Sequence, residues 1–164
     1  MTSFIIKAQA SRPVPEFWRK DSECAFCQII HHKARAFKIY EDDQVIAFLD
    51  ILPLRPGHTL VVPKFHCARV SELPPEYAAS VGKAISRISN ALTKAVDNTA
   101  LNVVCNQEYA QVVPHVHYHI IPAPRSSTLP AGLAKYMHRL EYEARGDLDE
   151  DAATALVERI RAHL

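Results

Sequence analysis

The sequence predicts an α+β protein: a five-stranded antiparallel sheet with a long helix packed on it and a helical C-terminal extension. Three observations carry this expectation. Behind Pro74-Pro75, the residues Tyr77, Val81, Ala84, Ile85, Ile88, Leu92 and Val96 recur at helical spacing, the mark of one long amphipathic helix. Short runs rich in β-branched and aromatic residues recur on both sides of it, bounded by Asp, Pro and Gly. From Pro114 to Pro122, three histidines alternate with bulky residues, and a period of two belongs to a strand. At 164 residues the chain is long enough to bury one core without disulfide staples.

Taken in order, residues 1–21 read as an N-terminal arm, flexible or dimer-contacting, which Phe17 and Trp18 could anchor. Residues 22–125 read as the folded domain. Ser22 is placed to cap a short helix reaching His32, with Phe26, Ile29 and Ile30 on its inner side. Lys38–Glu41 and Val45–Leu49 read as two strands of a hairpin that turns at Asp42-Asp43. Pro53 and Pro56 stiffen the loop from Leu52 to Gly57, and His58–Val62 is a third strand closed by Pro63. The long helix follows and should cover one face of the sheet. Leu101–Cys105 is the fourth strand, and the histidine stretch is the fifth, with Val116, Tyr118 and Ile120 facing the core. Residues 126–164 form the extension, with helical segments at 132–145 and 149–163. Ala152, Ala155, Leu156, Ile160 and Leu164 mark the inner face of the last segment.

Bulk properties exclude several classes of partner. Hydrophobic content of 48% and charged content of 23% are ordinary for a soluble globular protein. A net charge of +1 leaves no electrostatic footprint for nucleic acid or a membrane surface. No apolar run approaches the ~20 residues needed to span a bilayer. Phe4-Ile5-Ile6 is too short for a signal core. The expected compartment is the cytoplasm, with the nucleus as a second; Lys7, Arg12, Arg19 and Lys20 leave an organelle-targeting reading open.

Chemistry concentrates in the histidines and in one cysteine pair. On a strand, His115, His117 and His119 project from one face, and next-but-one positions stand roughly 6.5–7 Å apart. A merely His-rich surface strand is the bland alternative. A catalytic zinc site is another, but no Asp or further His follows the triplet to complete it. Cys24 and Cys27 admit three readings: buried thiols in a helix, a redox couple, or half of a Cys2His2 metal site. Cys67 and Cys105 lie near strands and read as small buried hydrophobes.

The pattern His115-Val116-His117-Tyr118-His119-Ile120-Ile121 resembles the signature of the histidine-triad (HIT) family. The resemblance extends to Phe48-Leu49-Asp50-Ile51, to Gly57-His58-Thr59-Leu60-Val61-Val62-Pro63-Lys64, to Cys24-Ala25-Phe26-Cys27-Gln28-Ile29-Ile30, and to Gln111. It implies the HIT fold and a homodimer in which long helices and fourth strands meet to make a continuous ten-stranded sheet. It also implies nucleotidyl transfer from the α-phosphorus of a purine nucleotide. His117 would be the nucleophile, with His58 and His119 at the phosphate. Asp50 would hold the ribose hydroxyls; Phe26, Ile29, Phe48 and Ile51 would wall the purine; Asn106 and Gln111 would reach the phosphate or leaving group. Cys24, Cys27, His66 and His115 match the ligands of a structural Zn2+ in many relatives.

The resemblance is closest to the Hint branch, adenosine phosphoramidases that release AMP, and GMP is the alternative product. A Fhit-like dinucleoside polyphosphate hydrolase and a nucleotide-binding regulatory protein with little turnover are the rival readings. One position departs from the pattern: Val112 stands where many relatives carry a serine thought to protonate the leaving group. Valine has no proton to give.

Overall fold

The computed structural model describes residues 21–123 and 147–164. The N-terminal arm and the expected helix at 132–145 therefore lie outside the described residues. Five antiparallel strands form one sheet: β1 (Lys38–Glu41), β2 (Val45–Leu49), β3 (Thr59–Pro63), β4 (Leu101–Cys105) and β5 (Tyr118–Pro122). Their order across the sheet is β1-β2-β3-β5-β4, so β4 is an edge strand. Three helices are described: α1 (Ala25–Ile30), α2 (Pro75–Val96) and α3 (Glu150–Arg161).

The β1–β2 hairpin turns where expected. Asp42 Oδ1 accepts from the backbone N–H groups of Gln44 and Val45 at 2.8 and 2.7 Å, and Oδ2 accepts from the Tyr40 hydroxyl at 2.6 Å. A short polar side chain that bonds its own turn is the local reason the chain reverses there.

Every residue of β2 and β3 is buried. Such two-sided burial requires cover on both faces, so beside the long helix expected on one face a second layer covers the other. Val45, Ala47, Leu49, Val61 and Ile120 pack against α2 and α3 in the larger core. Ile46, Phe48, Leu60 and Val62 pack with Phe26 and Cys27 of α1 on the opposite face. A strand buried on both faces reads as an unbroken apolar run, as VIAFL does and as LVV does behind the buried Thr59.

The long helix begins with Pro75 at its first turn and ends on Asp97 in the left-handed conformation (φ 50°). Val81, Ala84, Ile88, Ala91 and Leu92 are its buried residues. Tyr77 belongs instead to a small cluster with Cys67, Leu73 and Val116.

Three expectations need correction. Ser22 does not cap α1: it lies in a 3-10 turn, and Cys24 holds the N-cap position without a side-chain bond. Ala152 and Ala155 are exposed; Ala153, Leu156, Val157 and Ile160 are the buried residues of α3, so its inner stripe is turned from the expected one. The fifth strand begins only at Tyr118, which leaves His115 at a bend and His117 on irregular backbone before it. The alternation survives nonetheless, since Val116, Tyr118 and Ile120 all pack into core clusters.

Candidate active site and metal centre

Two clusters of His, Cys and Asp are built on the sheet face that α1 covers. The first joins Cys24, Cys27, His66 and His115, with one potential ligand atom from each lying within 4.8 Å of all the others. The start of α1 supplies the cysteines, the segment after β3 supplies His66, and the approach to β5 supplies His115. Cys24 Sγ is 3.4 Å and Cys27 Sγ 3.6 Å from His115 Nδ1, and Cys27 Sγ is 3.2 Å from His66 Nδ1.

A tetrahedral ion bonded at ~2.3 Å to sulfur and ~2.0 Å to nitrogen has sulfur–nitrogen edges of about 3.5 Å. The cluster therefore has the dimensions of such a cage. His115 is also prepared as a ligand. Its Nε2–H donates to the Pro63 carbonyl at 2.8 Å, which leaves the Nδ1 lone pair facing the thiols. Complete burial pushes the His115 imidazole down to about 4, partly opposed by that carbonyl, so the ring is neutral at pH 7. These four residues could hold a metal ion.

The second cluster is a row of imidazoles. His119 stands opposite Leu60 in the β3–β5 register, and cross-strand partners share a face, so its ring projects to the α1 side. Ring centroids of His117 and His119 are 4.9 Å apart, and those of His58 and His119 are 5.1 Å apart.

The tautomers follow from the hydrogen bonds. His117 Nδ1 lies 2.6 Å from the His115 carbonyl oxygen. A carbonyl can only accept, so Nδ1 carries the proton and Nε2 keeps its lone pair. Burial pushes the His117 imidazole below its ordinary value, with the bond to His115 opposing the shift. The Phe26 and His117 rings pack edge to face, with centroids 5.1 Å apart.

Leu54 N–H donates to His58 Nδ1 at 3.1 Å, so His58 Nε2–H donates to His119 Nδ1 at 2.9 Å. His119 is left with its proton on Nε2. Asp50 Oδ2 also lies 3.4 Å from His58 Nδ1. An ion pair there would need a proton on the same nitrogen, and the shorter, directed N–H of Leu54 sets the tautomer.

The remaining site residues are distributed as follows. Asp50 Oδ1 accepts from Leu52 N–H at 3.0 Å, so this carboxylate caps its own turn while its other oxygen lies beside His58. Ile51 is 67% exposed next to it. Phe26 and Phe48 are buried in an edge-on pair at 5.5 Å, and Ile29 packs against the same cluster. Asn106 is half-buried just after β4.

Gln111 is turned inward rather than toward the imidazoles. It is 1% exposed, its Nε2 donates to the Ala68 carbonyl at 2.8 Å and the His115 carbonyl at 3.4 Å, and its Oε1 accepts from Glu108 N–H at 2.7 Å. These bonds brace the loop. Val112, its neighbour, is 80% exposed. The Leu54 N–H and the Pro63 and His115 carbonyls also set the site's chemistry, and as backbone groups they carry no side-chain signature.

This fold and this paired cluster define a histidine-triad protein, and comparison with known proteins agrees. The HIT domain family matches residues 31–126, and the chain belongs to that family. Adenylylsulfatase HINT3 of Arabidopsis thaliana is 37% identical over 145 residues, spanning 87% of this chain and 70% of that protein. Adenosine 5'-monophosphoramidase HNT1 of Saccharomyces cerevisiae is 37% identical over 103 residues, spanning 62% of this chain and 63% of that one. Among solved structures, a Zn-bound histidine triad family protein from Mycobacterium smegmatis superposes with a TM-score of 0.69 at 29% identity. That superposition covers 87% of this chain and 96% of that one. A Hit-like protein from Bartonella henselae gives a TM-score of 0.71 at 30% identity, covering 87% and 98%.

Proposed function

We propose that this protein is a nucleotide hydrolase of the Hint type that cleaves at the α-phosphorus of an adenylate through a histidine-bound intermediate. One observation carries the reading: the 2.6 Å bond from His117 Nδ1–H to the His115 carbonyl leaves a neutral Nε2 lone pair in a row of three imidazoles. Neutral imidazole is a competent nucleophile near pH 7.

In the first step His117 Nε2 attacks phosphorus, an N–P bond forms, and the leaving group departs with the bonding pair. The ring becomes cationic, and the His115 carbonyl stabilises the charge through the Nδ1 proton. His119, with a proton on Nε2, offsets the charge that develops on the phosphoryl oxygens, and His58 holds it in that tautomer. In the second step water attacks phosphorus and gives up a proton to solvent, the N–P bond breaks with its electron pair returning to Nε2, and the nucleotide leaves with His117 restored. Asp50 suits the ribose hydroxyls and Ile51 the base. Zinc suits the Cys24, Cys27, His66 and His115 cage, where four protein ligands make it a structural ion. The edge strand β4 and helix α2 are the surfaces through which we place a homodimer, a point that light scattering on the purified protein decides.

A second reading of the leaving group has its own support. The relative matched over 87% of this chain is named an adenylylsulfatase, and Val112 and the internally bonded Gln111 offer no proton to a departing amine. Sulfate is a weak base and leaves without one.

The test is turnover of adenosine phosphoramidate, adenylyl sulfate and diadenosine triphosphate by zinc-loaded protein and by His117→Ala. The expected result is release of AMP from one of the first two, an acid-quenched adenylyl-enzyme in the wild type, and loss of both in the variant. Preference for the dinucleotide would move the protein to the Fhit-like class. Tight nucleotide binding without turnover of any of the three would leave a binding protein.

A further inference from the structure

His115 connects the two clusters. Its Nδ1 faces the two thiols of the cage, its Nε2–H is held by the Pro63 carbonyl, and its own carbonyl accepts the His117 Nδ1 proton. The residue is completely buried. The backbone from His115 to His117 lies before the first ladder residue of β5, so strand pairing does not fix it. What holds that carbonyl is the ring on one side, the Gln111 amide at 3.4 Å, and the flanking bonds His115 N–H to Val113 O and Val116 N–H to Cys67 O.

From this we infer that the metal cage positions the nucleophile, with His115 as the connecting residue. Occupying the cage locks the His115 ring, the locked ring fixes the His115 carbonyl, and the fixed carbonyl selects the His117 tautomer that leaves Nε2 unprotonated. Releasing the ring removes one of the restraints on that carbonyl, so the remaining backbone bonds and the Gln111 amide hold it less closely. His117 is then free to carry its proton on Nε2, where it blocks attack. The inference rests on the proposed role of His117, but its main readout does not require turnover.

The experiment labels the imidazoles with 15N and compares zinc-loaded wild type with His66→Ala and His66→Cys, each supplied with equal zinc. His66 lies in the cage and gives His115 an edge-on neighbour at 5.0 Å, while the bond to His117 is made by His115 alone. Methyl signals of the α2–α3 core in the same spectra restrict the comparison to folded protein. In wild type the His117 nitrogens should report a single Nδ1–H tautomer. His66→Ala should show a mixed population, and His66→Cys, which keeps four ligands, should restore it.

With whichever substrate the wild type turns over, His66→Ala should lose kcat by about tenfold or more while KM changes less than about twofold, the size of loss typical when a metal's supporting shell is broken. Chelating zinc from the wild type, read in the same way, covers the case of a variant that fails to fold. An unchanged His117 tautomer in folded, zinc-free protein would overturn the coupling. An inactive wild type with the tautomer shift intact would refute the hydrolase assignment and leave the coupling standing.

Discussion

Gly57 sits between the Pro-rich loop and His58 with φ at +90°, a conformation that L side chains rarely adopt. A Cβ there would lie 3.0 Å from Leu92 Cδ1, 3.3 Å from Pro122 Cγ and 3.4 Å from Val96 Cγ1. Leu92 is wholly buried and cannot swing aside. Gly57→Ala therefore combines a left-handed backbone cost of about 1–2 kcal/mol with overpacking of about 1–3 kcal/mol. Reduced freedom of the unfolded chain returns about 0.5–1 kcal/mol. The expected net loss is about 1–4 kcal/mol, seen in urea as a midpoint lower by about 0.5–2 M at unchanged slope. Gly82, in the exposed middle of α2, has nothing within 4 Å of its hypothetical Cβ. Gly82→Ala should stabilise by about 1 kcal/mol, because glycine is a poor helix residue. Paired equilibrium denaturation of the two variants checks the reasoning. Two shifts of the same sign, or a Gly57→Ala shift below about 0.5 kcal/mol, would refute it.

Three other outcomes are expected. Asp42→Ala removes an acceptor of three hydrogen bonds and should cost about 2 kcal/mol at neutral pH by the same titration. Burial alone would raise the Asp42 carboxyl, but bonds from Tyr40, Gln44 and Val45 with the Lys64 charge outweigh it and hold it below its ordinary 3.8. That stabilisation is present above 3.8 and is lost as pH falls through the lower folded value, so the gap between variant and wild type should close in acid. Ile160→Ala, at a fully buried position where α3 meets the core, should cost about 2–5 kcal/mol, measured by thermal melting. Val112→Ser should raise kcat for a phosphoramidate and leave adenylyl sulfate turnover unchanged; an equal effect on both would argue against leaving-group protonation at this position.

The sheet was legible because its strands are short, strongly biased runs between Asp, Pro and Gly: β1, β2 and β4 fall where the pattern puts them. The side of the sheet on which α1 lies was not, because an apolar run such as Val45–Leu49 signals burial without saying how many faces are covered. The stripe on α3 was misplaced for a related reason. Its alanines at 152, 153 and 155 are equally apolar, and only packing against β1 and α2 selects Ala153. Within the candidate site, the histidines were visible as a motif, whereas Gln111 looked like a ligand-facing amide. Its partners at Ala68 and His115 are set by the tertiary fold, which spacing along the chain does not encode. The cysteine pair announced itself, but His66 and His115 joined it only through the family pattern, since chain separations of 39 and 88 residues carry no local signal.

The two-sided burial of β2 and β3 makes the sheet a partition between layers of unequal durability. On one side, α2 and α3 close a continuous apolar core that should resist opening up to the global limit. On the other, the six-residue α1 is too short to persist alone and leans on a smaller cluster and on its cysteines. Backbone amides of α1 should therefore exchange with solvent well before those of α2, through a sub-global opening that leaves the sheet intact. The reactive face would be the first part of the molecule to come apart and the last to assemble.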